Sequence, residues 1–295
     1  MSLQDLKRQI QSVNNTAKMT QALQTISAVK LQRARERLDR VRPYTDNIDE
    51  MMRDIANSAG QAQIPLLVGR DEVSSVAICS VTSDRGLAGG FNAYVLRRTM
   101  QLRQEQDAEI TQVVTGRKAT EFFRFRRQPV EEAYTGFSDS PTYEKAREIG
   151  RRLTQLFEDE EADEVYLVYN RFKNALVQQP TVTRLLPVAA EETDEENEGG
   201  EEEGEDASEV PFEFIPEPED LLERLVPKYV ETLIFRALVE SAAGEHGARM
   251  TAMKSATDSA NEMSEELTMQ MNKMRQAAIT QEIIEIASAA EALGG

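Results

Sequence analysis

Two stripes of near-heptad spacing bracket the chain. At the amino-terminal end Leu3, Leu6, Ile10, Val13, Ala17, Thr20, Gln24, Ser27, Leu31, Ala34, Leu38 and Val41 follow one another in alternating steps of three and four, with a small and polar middle. That spacing lays one stripe along one helix face. Near the other end Met250, Met253, Ala256, Ala260, Met263, Leu267, Met271, Met274 and Ala278 form a second stripe, drifting as a 3.6-residue period must against a strict seven. The pattern predicts helices from Ser2 to about Ser58 and from about Pro227 to Leu293. No proline follows Lys228, so at ~1.5 Å per residue the second helix extends on the order of 100 Å. Because the helices lie at opposite ends of the chain, an intramolecular antiparallel coiled coil is the economical pairing; a dimeric coiled coil is the alternative.

Between them the pattern changes period. The run VSSVAICSVTS from Val73 to Ser83 is apolar and β-branched, ends in SDRGLAGG, and gives way to a helical period in FNAYVLRRTMQLRQ. ITQVVTGR at 110–117 leads into KATEFFRF in the same way; PVEEAYTGF, the helix PTYEKAREIGRRLTQLFED, then ADEVYLVYNRF and QQPTVTRLLPV follow. Strands alternating with helices predict a small α/β layer domain with a mostly parallel sheet. The expected fold class is therefore α/β: a long antiparallel two-helix coiled coil carrying that domain. The divisions read as an amino-terminal helix over 1–58, an α/β foot domain over 70–190, an acidic insertion over 191–209, a segment returning to the shaft over 210–226, and the carboxy-terminal helix over 227–295.

Composition removes whole classes of function. The 295 residues carry a formal net charge of −18, which does not fit a general nucleic-acid binder. No run of about 18 apolar residues exists and the amino terminus is polar from the start, so neither a membrane span nor a signal peptide is expected. Cys79 is the sole cysteine, His246 the sole histidine, and tryptophan is absent. Disulfide frameworks, clustered-cysteine metal sites and a serine–histidine relay are thereby excluded. With Glu245 and Gly247 as neighbours, His246 reads as a solvated helix residue.

Charge is unevenly spread. Lys7, Arg8, Lys18, Lys30, Arg33, Arg35, Arg37, Arg40 and Arg42 face only Asp5, Glu36 and Asp39 in the first 42 residues, so this helix is expected to meet an acidic surface. Residues 191–209, EETDEENEGGEEEGEDASE, hold no basic residue; that composition cannot bury enough surface to offset its ordering entropy and reads as a disordered loop. A calcium site would need the D-x-[DN]-x-[DN]-G spacing, which is missing. Gly86, Gly89 and Gly90 match neither G-x-G-x-x-G nor the P-loop, so the turn is read as structural and no cofactor is expected. No nucleophile, base and oxyanion set is discernible, so the chain reads as non-catalytic.

The segments IQSVNNTAKMTQALQTISAVKLQRAR at 10–35, TSDRGLAGGFNAYVLR at 82–97 and the run from Leu238 to Leu293 resemble the gamma subunit of F-type ATP synthases, in order and over essentially the whole chain. The ARMTAMKSATDSA run at Ala248 to Ala260 and NKMRQAAITQE at Asn272 to Glu282 are the most specific parts. The resemblance implies a central rotor shaft. Its two terminal helices would sit in a hexamer of alternating alpha and beta subunits, and its α/β domain would be a foot against the epsilon subunit and the c-subunit ring. Nucleotide chemistry would belong to the hexamer, and proton flow through the ring would turn the shaft. The implied location is peripheral, on the cytoplasmic side of a bacterial inner membrane, without membrane insertion.

By the same resemblance, Lys18, Leu23, Lys30 and Arg33 face the acidic beta-subunit loops, with Leu23 where methionine is common, and Arg275, Gln276, Thr280 and Glu282 match residues contacting beta-subunit catch loops. Without it, Lys18, Lys30 and Arg33 would read as solvated, and Gln276 and Thr280 as packed within the coil. Phe214, Ile215, Pro216 and Glu217 fall in the foot and c-ring region, Ile215 standing where relatives often have glutamate. Ala88 replaces a common cysteine, and the acidic insertion lacks the cysteine pair of photosynthetic relatives. The competing reading is a coiled-coil scaffold with an α/β partner-binding module, which would be a stable dimer rather than a monomer.

Overall fold

The protein is described by a computed structural model in which residues 2–59, 66–67, 69–70, 72–188 and 218–293 are placed. The acidic run 191–209 and the foot residues Phe214, Ile215, Pro216 and Glu217 lie outside the described residues.

Helix α1 runs Leu3–Ala59 and helix α5 Pro218–Leu293. Ser2 and Asp5 start α1 with a reciprocal cap: Asp5 N donates to Ser2 Oγ at 3.2 Å, and Ser2 N to Asp5 Oδ2 at 3.0 Å, satisfying donors that a helix start leaves unpaired. Helix α5 begins at Pro218, earlier than the Pro227 start expected from the sequence, so 218–226 is helical and not merely a returning segment. Proline suits the first turn of a helix. The interior Pro227 is tolerated because Leu222 and Val226, just before it, are fully buried in the domain core, an apolar gain that offsets the lost backbone bond.

Between the shaft helices lie β1 (Ser75–Val81), α2 (Phe91–Glu105), β2 (Glu109–Thr115), α3 (Arg117–Phe125), β3 (Glu132–Tyr134), α4 (Tyr143–Glu158), β4 (Glu164–Phe172) and β5 (Gln178–Leu186). The sheet order is β3-β2-β1-β4-β5. The first four strands are parallel and β5 pairs antiparallel with β4, so the sheet is mostly parallel, as expected. The chain winds outward from β1 to β3, then crosses over through α4 to β4 on the other side of β1. That crossover distributes helices over both faces.

Alternation along β1 shows the division. Val76 and Ile78 point to α2 with Val95 and Leu102; Ala77, Cys79 and Val81 point to the opposite core with Ile149, Leu153 and Leu156 of α4 and Val230, Ile234 and Leu238 of α5. Thus α5 is at once a shaft helix and a wall of the domain. It crosses near the carboxyl ends of β1 and β4: Phe172 N, at the end of β4, donates to Glu240 Oε2 at 3.2 Å, and Val81 and Thr82 share a small cavity with Leu238, Ser241, Ala242 and Glu245. Open parallel sheets bind their ligands in that crevice, where the strand order reverses. Here a helix fills it.

The amino ends of β1 and β4 are pinned by one carboxylate. Asp163 Oδ2 accepts from Ser74 N and Ser75 N at 2.8 Å and from both serine hydroxyls at 2.9 and 3.0 Å, while Oδ1 receives Arg70 Nη1 at 2.6 Å. Burial alone would push this carboxyl up, but Arg70 and the serine donors outweigh it and hold it far below the usual carboxylate range. A depressed carboxyl pKa contributes stability that is complete above the unfolded value near 4 and lost progressively as pH falls below it. Asp163→Asn should therefore destabilise the chain by about 3 kcal/mol at neutral pH. Its deficit against the parent should shrink below about pH 4, as seen in denaturant melts across a pH series.

Candidate functional site

The shaft is built along a seam of small side chains. Every member of the α1 stripe from Leu3 to Val41 is buried or half-buried. Opposite it on α5, Met253, Thr257 and Ala260 are buried and Ser264, Leu267, Thr268 and Met271 half-buried. The helices run antiparallel: Thr20 Oγ1 meets Thr257 Oγ1 at 2.6 Å, and Ser264 Oγ donates to Asn14 Oδ1 at 2.8 Å. Met263, expected in the stripe, is 53% exposed, because the drifting period carries the contact line to Ser264 and Leu267. Met274, level with the first turn of α1, is 37% exposed, and Ala278 is exposed because α1 has ended.

The register set by Asn14 and Ser264 brings the first residue of α1 level with about residue 275, so the last 18 or so residues of α5, roughly 27 Å of helix, project alone among the described residues. All of 272–289 is exposed. On this tip Ile279, Ile283, Ile284 and Ile286 are 48, 61, 53 and 70% exposed, a concentration of bare isoleucine that marks an interaction surface.

The named tip residues share that surface. Arg275 and Glu282 are a heptad apart, and Gln276 and Thr280 a helical turn apart, with Thr280 Oγ1 donating back to Gln276 O at 2.9 Å. Gln276 and Thr280 face solvent and do not pack in the coil. On α1, Lys18 and Arg33 are exposed and Leu23 half-buried; Lys7, Arg8, Lys18, Arg33, Arg35 and Arg42 make no ion pair among the described residues. Lys30 is placed otherwise. It reaches the α/β domain and pairs with Asp139, in the turn between β3 and α4.

That turn also receives His246, which is 1% exposed and not solvated. Its Nε2 lies 3.4 Å from Asp139 Oδ1 and 3.5 Å from Asp139 O, and buried Nδ1 has no partner among the described residues. Burial pushes the imidazole pKa down, with Arg249 and Lys30 adding to the fall and Asp139 opposing it. Next to it, burial raises the Glu245 carboxyl despite an ion pair with Arg249 Nη2 at 2.7 Å. Arg249 also donates from Nε and Nη2 to Gly86 O at 3.3 and 3.2 Å. The sequence carried one local signal of this burial, the pair Gly244 and Gly247 around Glu245 and His246. A Cβ at Gly247 would lie 3.0 Å from Ala175 O, so the hairpin between β4 and β5 approaches α5 where only glycine fits easily.

A long two-helix shaft, wedded by one helix to an α/β domain and bare at its far tip, defines a stalk protein. The ATP synthase family profile matches residues 2–293. The ATP synthase gamma chain of Rubrobacter xylanophilus is 60% identical over 99% of this chain and 98% of its own length, and that of Pelotomaculum thermopropionicum is 42% identical over 99% of both. Among solved structures, a Tetrahymena thermophila mitochondrial ATP synthase central stalk and c-ring chain matches with a TM-score of 0.61 at 20% identity, covering 81% of this chain and 99% of that one. A Euglena gracilis mitochondrial ATP synthase chain matches at 0.66 and 16%, covering 99% and 95%. The chain belongs to the gamma-subunit family of F-type ATP synthases, the central stalk of that complex.

The Thr20–Thr257 contact gives a direct check on the seam. Either hydroxyl alone would keep a helical carbonyl partner but lose its cross-helix one, so Thr20→Val should cost about 1 kcal/mol, whereas Thr20→Val with Thr257→Val, apolar on both sides and nearly isosteric, should recover most of it. Thermal melts of the two variants and the parent measure the difference.

Proposed function

We propose that the chain is the rotor of a proton-translocating F-type ATP synthase, turning inside a hexamer of alternating alpha and beta subunits and carrying no step of the nucleotide chemistry itself. The observation that carries this reading is the projecting tip. A single helix bare on all sides among the described residues, with four isoleucines exposed over 279–286, suits a surrounding sleeve better than a flat partner. The packed seam argues against a dimeric scaffold, because the stripe a second copy would need is already occupied by the chain's own α1. Filling of the crevice near the carboxyl ends of β1 and β4 by α5 supports the absence of a nucleotide site in the domain.

In this reading Lys18, Leu23 and Arg33 of α1 pass beneath acidic beta-subunit loops, and Arg275, Gln276, Thr280 and Glu282 meet the catch loops around the tip. Cations on α1 that are unpaired among the described residues supply a long-range attraction, screened over about 10 Å at 0.1 M salt, that does not hold one rotational position rigidly. Lys30, engaged with Asp139, serves the joint with the α/β domain. That domain forms the foot, with the epsilon subunit and c ring as its partners and Phe214, Ile215, Pro216 and Glu217 on the ring side, at the cytoplasmic face of a bacterial inner membrane.

Replacing Arg275 and Gln276 together by alanine should lower ATP-driven proton pumping by roughly threefold to tenfold, the loss of one or two net polar contacts at the working surface. Nucleotide affinity of the isolated alpha/beta hexamer stays unchanged. Normal pumping by the double variant in a reconstituted complex would refute the assignment of these residues.

A further inference from the structure

Three elements distant in sequence close into a ring of polar contacts where the shaft passes the α/β domain, and a fourth, α1, is tied to it. In the turn after β1, Asp84 Oδ2 accepts from Gly136 N at 2.8 Å and Ser138 N at 3.1 Å, Asp84 Oδ1 from Arg117 N at 3.1 Å, and Asp84 N donates to Ser138 Oγ at 2.9 Å. This binds the turn after β1 to the turn after β3. Burial pushes the Asp84 carboxyl up, but these backbone donors prevail and keep it ionised, below the usual carboxylate range. From the stiffened turn Asp139 reaches Lys30 of α1 and His246 of α5, and from α5 Arg249 returns to Gly86 O in the first turn. Arg37 of α1 adds bonds to Ser140 Oγ at 3.2 Å and Pro141 O at 3.0 Å.

Elsewhere α5 meets the domain mostly through apolar side chains such as Ile234 and Leu238, packed on Ile149, with Phe172 N on Glu240 and Tyr143 Oη on Glu231 as further polar contacts. Apolar contact resists separation but has little directional preference. Charged hydrogen bonds hold one geometry, and their loss in a buried setting leaves unpaired groups. A domain that turns a shaft needs the second property, because otherwise the layers can slide.

We propose that Asp139 is a positioning residue that keys the α/β domain to both helices of the shaft, so that rotation of the domain is delivered to α1 and α5 together. The proposal rests on the rotor reading and assigns its torque joint. Rotating the domain about the shaft would break the Lys30 and His246 contacts at once, since both end on one side chain of a turn that Asp84 holds fixed.

His246 is the only histidine in the chain, so its ring resonances report on the joint directly. The charges facing it are Asp139, with Arg85 beside that carboxylate, Lys30 from α1, and Arg249 and Glu245 on α5. In NMR titrations of the full chain, His246 should titrate below the ordinary histidine range. Asp139→Asn, which removes the charge favouring imidazolium, should lower it further, and Lys30→Met should raise it. A histidine that titrates normally and ignores both substitutions would show that the joint does not exist.

In reconstituted complexes Asp139→Ala should reduce protons pumped per ATP hydrolysed by roughly threefold, the factor that loss of one net hydrogen bond produces. Asp139→Asn, which keeps an acceptor for Lys30 and His246, should recover part of the loss. Normal coupling by Asp139→Ala in a chain whose His246 titration confirms the contact would overturn the keying role while leaving the rotor reading intact. A parent chain that supports no ATP-driven pumping in the same complexes would overturn both.

Discussion

The structure depends on a single helix that must satisfy three environments in succession. Over 237–247 every residue of α5 is buried, between the sheet, α4 and α1; over 250–271 it is covered chiefly along the stripe against α1; beyond about 275 nothing covers it among the described residues. A helix buried all round must be apolar or must find a partner for each polar group. A helix paired along one stripe needs small seam residues, and a bare one needs a partner from outside. The residue types of α5 change at those boundaries.

The buried length is where that demand is hardest to meet. Glu240, Ser241, Glu245 and His246 all lie there. Glu240 is matched by Arg236 at 3.1 Å and the backbone of Phe172, Glu245 by Arg249, and His246 by Asp139. Replacing such groups with aliphatic side chains is often neutral or stabilising for a fold. Their presence is better explained by geometry: each pair has one register, and together they fix how the domain sits on the shaft.

The seam beyond the domain obeys a different requirement. Ala17, Thr20 and Ser27 against Met253, Thr257 and Ala260 let two helices approach closely with little bulk, and the hydroxyls satisfy themselves on helical carbonyls, as Ser27 Oγ does on Leu23 O at 2.7 Å. Such a coil is slender. Its surface is left to exposed polar residues on α1, whose charges are mostly basic and among which Met19, Ile26 and Val29 also stand exposed, and to exposed isoleucines on the tip of α5.

What the sequence by itself determined was periodicity: the α1 stripe, the alternation of strands and helices behind the mostly parallel sheet, and the existence of two very long terminal helices follow from the spacing of apolar residues, which is a local property. The early start of α5 at Pro218 was not legible, because burial of Leu222 and Val226 in a distant core overrides the local cost of Pro227. Where the seam ends was not legible either: the Met263 to Ala278 stripe continues in the sequence past the point at which α1 has run out. The solvated reading of His246 fails, and the engagement of Lys30 with Asp139 was not legible, for one reason. Each looks solvated among its sequence neighbours, and the carboxylate that engages both stands more than a hundred residues away, at 139. Ion pairing and desolvation are decided by what approaches through space, and only the tertiary structure brings the β3–α4 turn against both helices.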